Sequence, residues 1–250
     1  MPDLHLRLLG AAQLHTEDGS LVPLGSRRRT LALLAMAAVG GQFGIPREKA
    51  MALLWPEETE DRARNSLRQR LFLARRAIDQ KPLLRQDPDV VQIASENVAV
   101  DLWAFETAAA SGRYRDAAAL YIGPFLDGFA ISGLSEFDRW VESHRARLHL
   151  MAQHAMEQAA RASAVSGDAV GAVTWWRHLA ILDPLSSRVA LELVNALVAG
   201  GDLPAALNHA RSHEAAVWRE LDVPPDPTFT RQVHQLAGRA RNSGPQSSVA

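Results

Sequence analysis

An α+β N-terminal region followed by an all-α region is the fold class this sequence predicts, and three observations carry it. Strand-like apolar runs broken by turn residues sit in two places, residues 4–25 and 83–100. Between them lie three Leu/Ala-rich helical stretches. From 102 to about 240 the apolar period is helical throughout, with Gly-Asp pairs returning at a fixed interval.

In "LHLRLLG" Leu4, Leu6 and Leu8 fall on one side of a strand, and "LHTEDGSLVPLG" sets a turn at Gly19 between two strand-like pieces. Residues 27–39 read as a helix that Gly40-Gly41 stops. Pro46 suits the first turn of a second short helix, which Pro56 closes after Leu54-Trp55. The acidic loop "PEETED" leads to Asp61, an N-cap for a basic helix over 62–78. "LLRQDPDVVQI" reads as two short strands about a turn at Asp87-Pro88-Asp89, and "NVAVDLWAFE" as one more strand. A boundary therefore falls near 100–102: a first domain spans 1–100 and a second 101–240. The Gly/Pro/Ser-rich residues 241–250 read as a flexible tail or linker.

In the second domain the longest helix covers roughly 134–165, with Leu134, Phe137, Val141, Leu148, Met151 and Ala155 on one stripe. Gly167-Asp168 and Gly201-Asp202 lie 34 residues apart, as do Ala172 and Ala206. "SGRYRDAAALY" repeats the offset with Gly112 and Ala117. Helix pairs at this period, with small residues where they cross, have the tetratricopeptide spacing.

Composition narrows the function. The chain has 250 residues, 47% hydrophobic and 22% charged, as a soluble globular protein does. No apolar run reaches the roughly 18 residues of a membrane span, and the first residues lack the layout of an export signal. With no cysteine, disulfides, thiolate metal sites and thiol nucleophiles are excluded. A cytoplasmic location fits. Net charge is −1, about +2 over residues 1–100 and −3 over the rest, so any polyanion binding must come from a local basic face.

That face is in "DRARNSLRQRLFLARRA", with six arginines. At 100° per residue, Ala63, Leu67, Leu71, Ala74 and Ile78 form the core stripe. Opposite stand Arg62, Asn65, Gln69, Phe72 and Arg76, with Arg64, Arg68 and Arg75 on one flank and Arg70 on the other. The exposed side carries no carboxylate before Asp79, whereas solvated helices usually alternate Glu with Lys or Arg at this spacing. A polyanion would relieve that repulsion. The residue types suit duplex DNA: Asn and Gln pair with adenine, Arg with guanine, and Phe meets a thymine methyl. Flanking arginines hold phosphates. A short helix, a loop, this basic helix and a β-turn-β unit together make a winged helix-turn-helix, with the basic helix in the major groove.

Seven segments in order now resemble the Streptomyces antibiotic regulatory proteins: "LRLLG", "LGSRRRTLALLA", "REKAMALLWPE", "ARNSLRQRLFLARRAI", "VDLWAFE", "YIGPFLDGF" and "ELDVPPDPTF". The resemblance implies a response-regulator-type winged helix and then a bacterial transcriptional activator domain of tetratricopeptide-like helices. It implies binding to repeated promoter sites as double-stranded DNA, with a homodimer possible there, and recruitment of RNA polymerase through its sigma subunit. No enzymatic activity and no cofactor are implied. Carried onto this chain, Arg64, Asn65, Arg68, Gln69 and Arg76 are the DNA contacts. The acidic turn 56–61, with Glu57, Glu58 and Glu60, corresponds to the loop turned toward polymerase. The chain departs from its relatives at Phe72 and Leu73, where they carry a small polar residue and an arginine.

Arg27 and Arg29 open a helix where the dipole disfavours cations, which points to a phosphate contact. His209 and His213 stand at i,i+4 without a third ligand at motif spacing, so no metal site is assigned. No phosphate-cradling, dinucleotide or nucleophile-elbow motif occurs. Trp140, Trp175 and Trp176 read as packing residues. The alternative function is a tetratricopeptide-type adaptor or ligand sensor whose winged helix serves protein contacts.

Overall fold

The computed structural model describes residues 4–22, 28–76, 82–85 and 87–242, without the side chains of 75–76 and 239–242. Contacts divide the chain into two compact units that meet at 152/153. No helix among the described residues is long and apolar enough to cross a membrane.

The first unit is built on a three-stranded sheet. Strand β1 (Leu4–Arg7) lies between antiparallel β2 (Gln13–Thr16) and parallel β5 (Val98–Val100). Its alternation is the one the leucines predict: Leu4 and Leu6 are buried, His5 and Arg7 exposed. Gly19 turns the chain at φ +82°, and Leu21 bridges back to His15.

Helix α1 (Arg28–Val39) is buried all round, with every residue from Ala32 to Ala38 inside. It packs against α2 (Arg47–Leu54), α3 (Glu60–Arg76) and α4 (Asp101–Ala110). A 3₁₀ turn at Gly41–Phe43 follows, then β3 (Ile45–Pro46), antiparallel to β4 (Val90–Val91). Gly44, at φ +65°, passes so close to β4 that a Cβ would lie 2.4 Å from the Val91 carbonyl oxygen.

Three local expectations shift. Helix α3 begins at Glu60, with the Ala63 N–H donating to the Thr59 carbonyl at 2.9 Å. Asp61 is therefore in the first turn and does not precede it. The hairpin at 83–94 forms, but as a narrow ladder: Arg85 N–H to the Gln92 carbonyl and Ala94 N–H to the Leu83 carbonyl, both 2.9 Å. "NVAVDLWAFE" divides, Val98–Val100 to β5 and the residues from Asp101 on to α4, because Asp101 starts a helix.

Two distant segments then lock onto the β1 end. The Gly10 N–H donates to the Pro124 carbonyl at 3.0 Å, and Leu126 N–H to the Leu8 carbonyl at 2.9 Å. A Cβ on Gly123 would sit 3.1 Å from the Gly10 Cα, so both glycines permit this approach. Arg145, on α6 (Ser135–Val165), donates its Nε to the Phe125 carbonyl at 2.7 Å. The Asp101 carboxylate accepts the N–H groups of Leu8 (2.9 Å), Leu9 (3.0 Å) and Leu102 (2.7 Å). Thus α4, α5 (Tyr114–Leu120) and the loop 121–129 belong to the sheet's unit: the periodicity changes at 100/101, the contacts part at 152/153. Trp140 packs among Phe125, Phe137 and His144.

The second unit holds the end of α6, then α7 (Ala169–Leu182), α8 (Ser187–Ala199), α9 (Leu203–Leu221) and α10 (Pro227–Asn242). The Gly-Asp pairs start α7 and α9 in one way. Gly167 and Gly201 take φ +78° and +82°. Asp168 then accepts the Gly171 N–H at 2.8 Å and Asp202 the Ala205 N–H at 3.0 Å. Ala172 and Ala206 are buried, and α8 packs on both α7 and α9. Of the α6 stripe, Leu134, Phe137, Val141, Leu148 and Ala155 are buried and Met151 half-buried. Asp226 caps α10 through Thr228 and Phe229.

Candidate nucleic-acid interface

Helix α3 sorts its side chains as its periodicity requires. Ala63, Leu67, Leu71 and Ala74 are buried against the unit's core, while Ile78 lies outside the described residues. Arg62, Arg64, Asn65, Arg68, Gln69 and Phe72 are exposed, and Arg70 is half-buried. Phe72 remains 54% exposed, on the same helix face as Asn65 and Gln69. The side chains of Arg75 and Arg76, and Arg27 as a whole, lie outside the described residues.

The exposed face is not free of carboxylate, contrary to the sequence reading. Arg64 pairs with Glu60 one turn back and lies 3.7 Å from Asp61. This follows from the helix starting at Glu60, which puts both acids on its first turn, where the dipole favours them. Arg62 and Arg68 have no ion-pair partner among the described residues.

The acidic loop is tied to the same helix. Ser66 donates its hydroxyl to Glu58 at 2.9 Å, and Glu60 holds Arg64, which leaves Glu57 as an exposed carboxylate with no hydrogen bond or ion pair to α3 among the described residues. Arg29 turns inward: its Nε donates to the Leu54 carbonyl at 3.1 Å, satisfying the end of α2. Arg28 donates to the Ala130 carbonyl at 2.6 Å. Backbone carbonyls thus balance both described cations of the "RRR" run.

Arg47, which the sequence reading passed over, stands beside α3. Its guanidinium donates to the Asp87 carbonyl, and its N–H to that of Asp89 at 2.9 Å. The signal was available, since Arg47 opens α2 as the other arginines open α1. A cleft of about 660 Å³ runs between α2, α3 and the 87–90 turn, its charged lining Arg47, Arg64 and Arg68 with Glu48 and Asp89. Asp87 shapes that turn by accepting the Asp89 and Val90 N–H groups, which hold its carboxyl below the usual range. A phosphodiester backbone entering the cleft would meet guanidinium groups from two helices.

The histidine pair is structural in its geometry. His213 is buried, its ring nitrogens against the Ser187 hydroxyl (3.0 Å) and the Pro184 carbonyl (3.2 Å), its ring in a T-shaped contact with Phe229. Burial pushes the pKa of His209 and His213 down. Among the described residues no three His, Asp or Glu side chains gather as a metal site.

Compared with known proteins, residues 89–236 match the family model described as the bacterial transcriptional activator domain. No curated protein sequence matches the chain. Among solved structures the chain is similar to Mycobacterium tuberculosis EmbR in complex with a low affinity phosphopeptide, with 21% identity and a TM-score of 0.61. The match covers 96% of this chain and 66% of that one, so the likeness is one of fold and the chain spans just under two thirds of that protein.

Proposed function

As a member of the bacterial transcriptional activator domain family, this chain is a transcription regulator of the antibiotic-regulatory-protein kind, and we propose that it activates by sequence-specific binding of double-stranded promoter DNA. In this reading the first unit contains a winged helix-turn-helix and α3 enters the major groove. The observation that carries it is the composition of the exposed α3 face: Arg62, Asn65, Arg68, Gln69 and Phe72 around a helix whose other side is core. Asn65 and Gln69 offer bidentate donor–acceptor edges to bases, and Arg62, Arg64 and Arg68 reach base edges or phosphates. The 83–94 hairpin is the wing, and its turn brings Arg47 to the same cleft.

The repeated helices of the second unit form a tetratricopeptide-like protein-contact module, and RNA polymerase with its sigma subunit is the partner. Glu57, with Glu58 and Glu60 behind it, presents acid toward polymerase from a loop braced on α3. Repeated sites would be filled by two copies, as a homodimer on DNA. No catalytic role enters, and no cofactor.

Selecting bound DNA from a random pool, then titrating salt on the selected site, tests the reading. Arg68→Ala should weaken every sequence about equally and lower the salt slope by about one. Gln69→Ala should cost about 1–3 kcal/mol at one base pair and relax the choice there. Wild-type affinity and specificity in both variants would remove α3 from the groove.

A further inference from the structure

The second unit contains a small cleft of about 350 Å³ between the α6–α7 turn, α7 and α8. Its walls are mostly methyl groups, among them Ala172, Ala196 and Ala199, with the Trp176 ring in the lining. Two polar side chains line it, Glu192 and Asn195, both from α8. The volume lies at the lower end of the roughly 300–1,000 Å³ of small-ligand sites. That is room for one long side chain.

The charge balance singles out Glu192. Arg188, one turn earlier on α8, is taken up by Glu157 at 3.0 Å, and Arg161 pairs with the same carboxylate at 2.6 Å. Glu192 is left without an ion pair among the described residues. Single acids on a helix surface are common, but this one borders an apolar cleft whose lining includes the nearly buried Trp176. Long aliphatic stems with a cationic head bury the stem along apolar surface and keep the head polar. Nearby, Val165 and Val170 are 90% and 78% exposed, each the sequence neighbour of a lining residue.

We propose that this cleft seats an arginine or lysine side chain of a partner protein, its stem against the alanines and Trp176 and its head on Glu192 and Asn195. Apolar residues flanking that cation in the partner rest on Val165 and Val170. The proposal rests on the reading of the second unit as a protein-contact module and needs nothing from DNA binding.

The test titrates the full chain with acetyl-Leu-Arg-Leu-amide, with its citrulline counterpart (neutral, same shape) and with acetyl-arginine methylamide, following amide shifts of Glu192, Asn195 and Ala196. The arginine tripeptide should bind saturably and about tenfold more tightly than the citrulline one. Glu192→Gln should erase that preference, while Ala199→Leu should block all three probes; both variants should keep the parent's fold by circular dichroism. Absence of saturable shifts, or equal affinity for arginine and citrulline peptides, overturns the site. Equal affinity for acetyl-arginine methylamide and the tripeptide overturns the assignment to a protein partner. DNA affinity, measured on the same Glu192→Gln sample, should match wild type. Loss of DNA binding by the parent chain would refute the promoter reading alone, because no DNA enters the peptide titration.

Discussion

Replacing Asp101 by alanine should destabilise the first unit by about 2–4 kcal/mol. The carboxylate accepts N–H groups from Leu8 and Leu9, more than ninety residues away, and from Leu102 beside it. Leu8 and Leu9 are 0% exposed, so water cannot replace the lost acceptor without opening the sheet. Each stranded donor costs about 1–3 kcal/mol, and two give roughly 2–6. Part of that is returned. Burial outweighs the donors and raises the Asp101 pKa, so the carboxyl's contribution is full below its ordinary value near 3.8 and falls as pH rises through the raised one. At pH 7 the ionised group stabilises less than its hydrogen bonds suggest, and the upper range comes down. For a chain of this length the change corresponds to roughly 5–15 °C in the melting midpoint. Urea unfolding at pH 7, followed by far-UV circular dichroism, reads it directly. Asp101→Asn, which keeps one acceptor oxygen, should fall between alanine and wild type. A change under about 0.5 kcal/mol in the alanine variant, the ordinary scatter of surface substitutions, would show that these bonds do not hold β1 to α4.

Acid should destabilise the second unit. Burial holds His209 and His213 below their ordinary pKa of 6.5, so unfolded imidazoles take up protons first and stability falls once pH drops below that value. Urea midpoints at pH 7.5 and 5.5 measure the loss, and His209→Gln should reduce it; a more stable protein at pH 5.5 contradicts the sign. Phe72→Ser should leave stability within about 0.5 kcal/mol, because the ring is mostly in water, yet change the DNA sequence selected from a random pool. An unchanged motif would remove Phe72 from base reading.

What could be read from the sequence was whatever depended on neighbours in the chain. The Leu4-Leu6 alternation, the Ala63-Leu67-Leu71-Ala74 stripe and the Gly-Asp starts of α7 and α9 follow from periods of two and 3.6 and from capping, all local rules. What could not be read depends on where distant backbone arrives. Arg29 finds the Leu54 carbonyl 25 residues on, and Asp101 finds Leu8 93 residues back. No composition rule places those partners. At α3 the error was narrower. Setting the N-cap at Asp61 and the helix start at residue 62, two residues late, hid the fact that Glu60 stands one turn before Arg64.

That residue changes what the arginines of α3 can contribute. A phosphate approaching Arg64 competes with Glu60 and Asp61, so binding there exchanges one anion for another and releases few counterions from the DNA's share. Arg68 has no ion-pair partner among the described residues, so in the proposed DNA complex neutralisation of a phosphate there counts in full. The two positions are one turn apart on the same flank, yet they should separate in a salt titration: Arg68→Ala lowers the slope by about one and Arg64→Ala by clearly less. Combining Glu60→Gln and Asp61→Asn with Arg64→Ala should restore the full difference for Arg64, because the competing anions are gone. Equal slopes for the two single variants would mean that Glu60 leaves Arg64 before DNA arrives, and that the pair has no part in setting affinity.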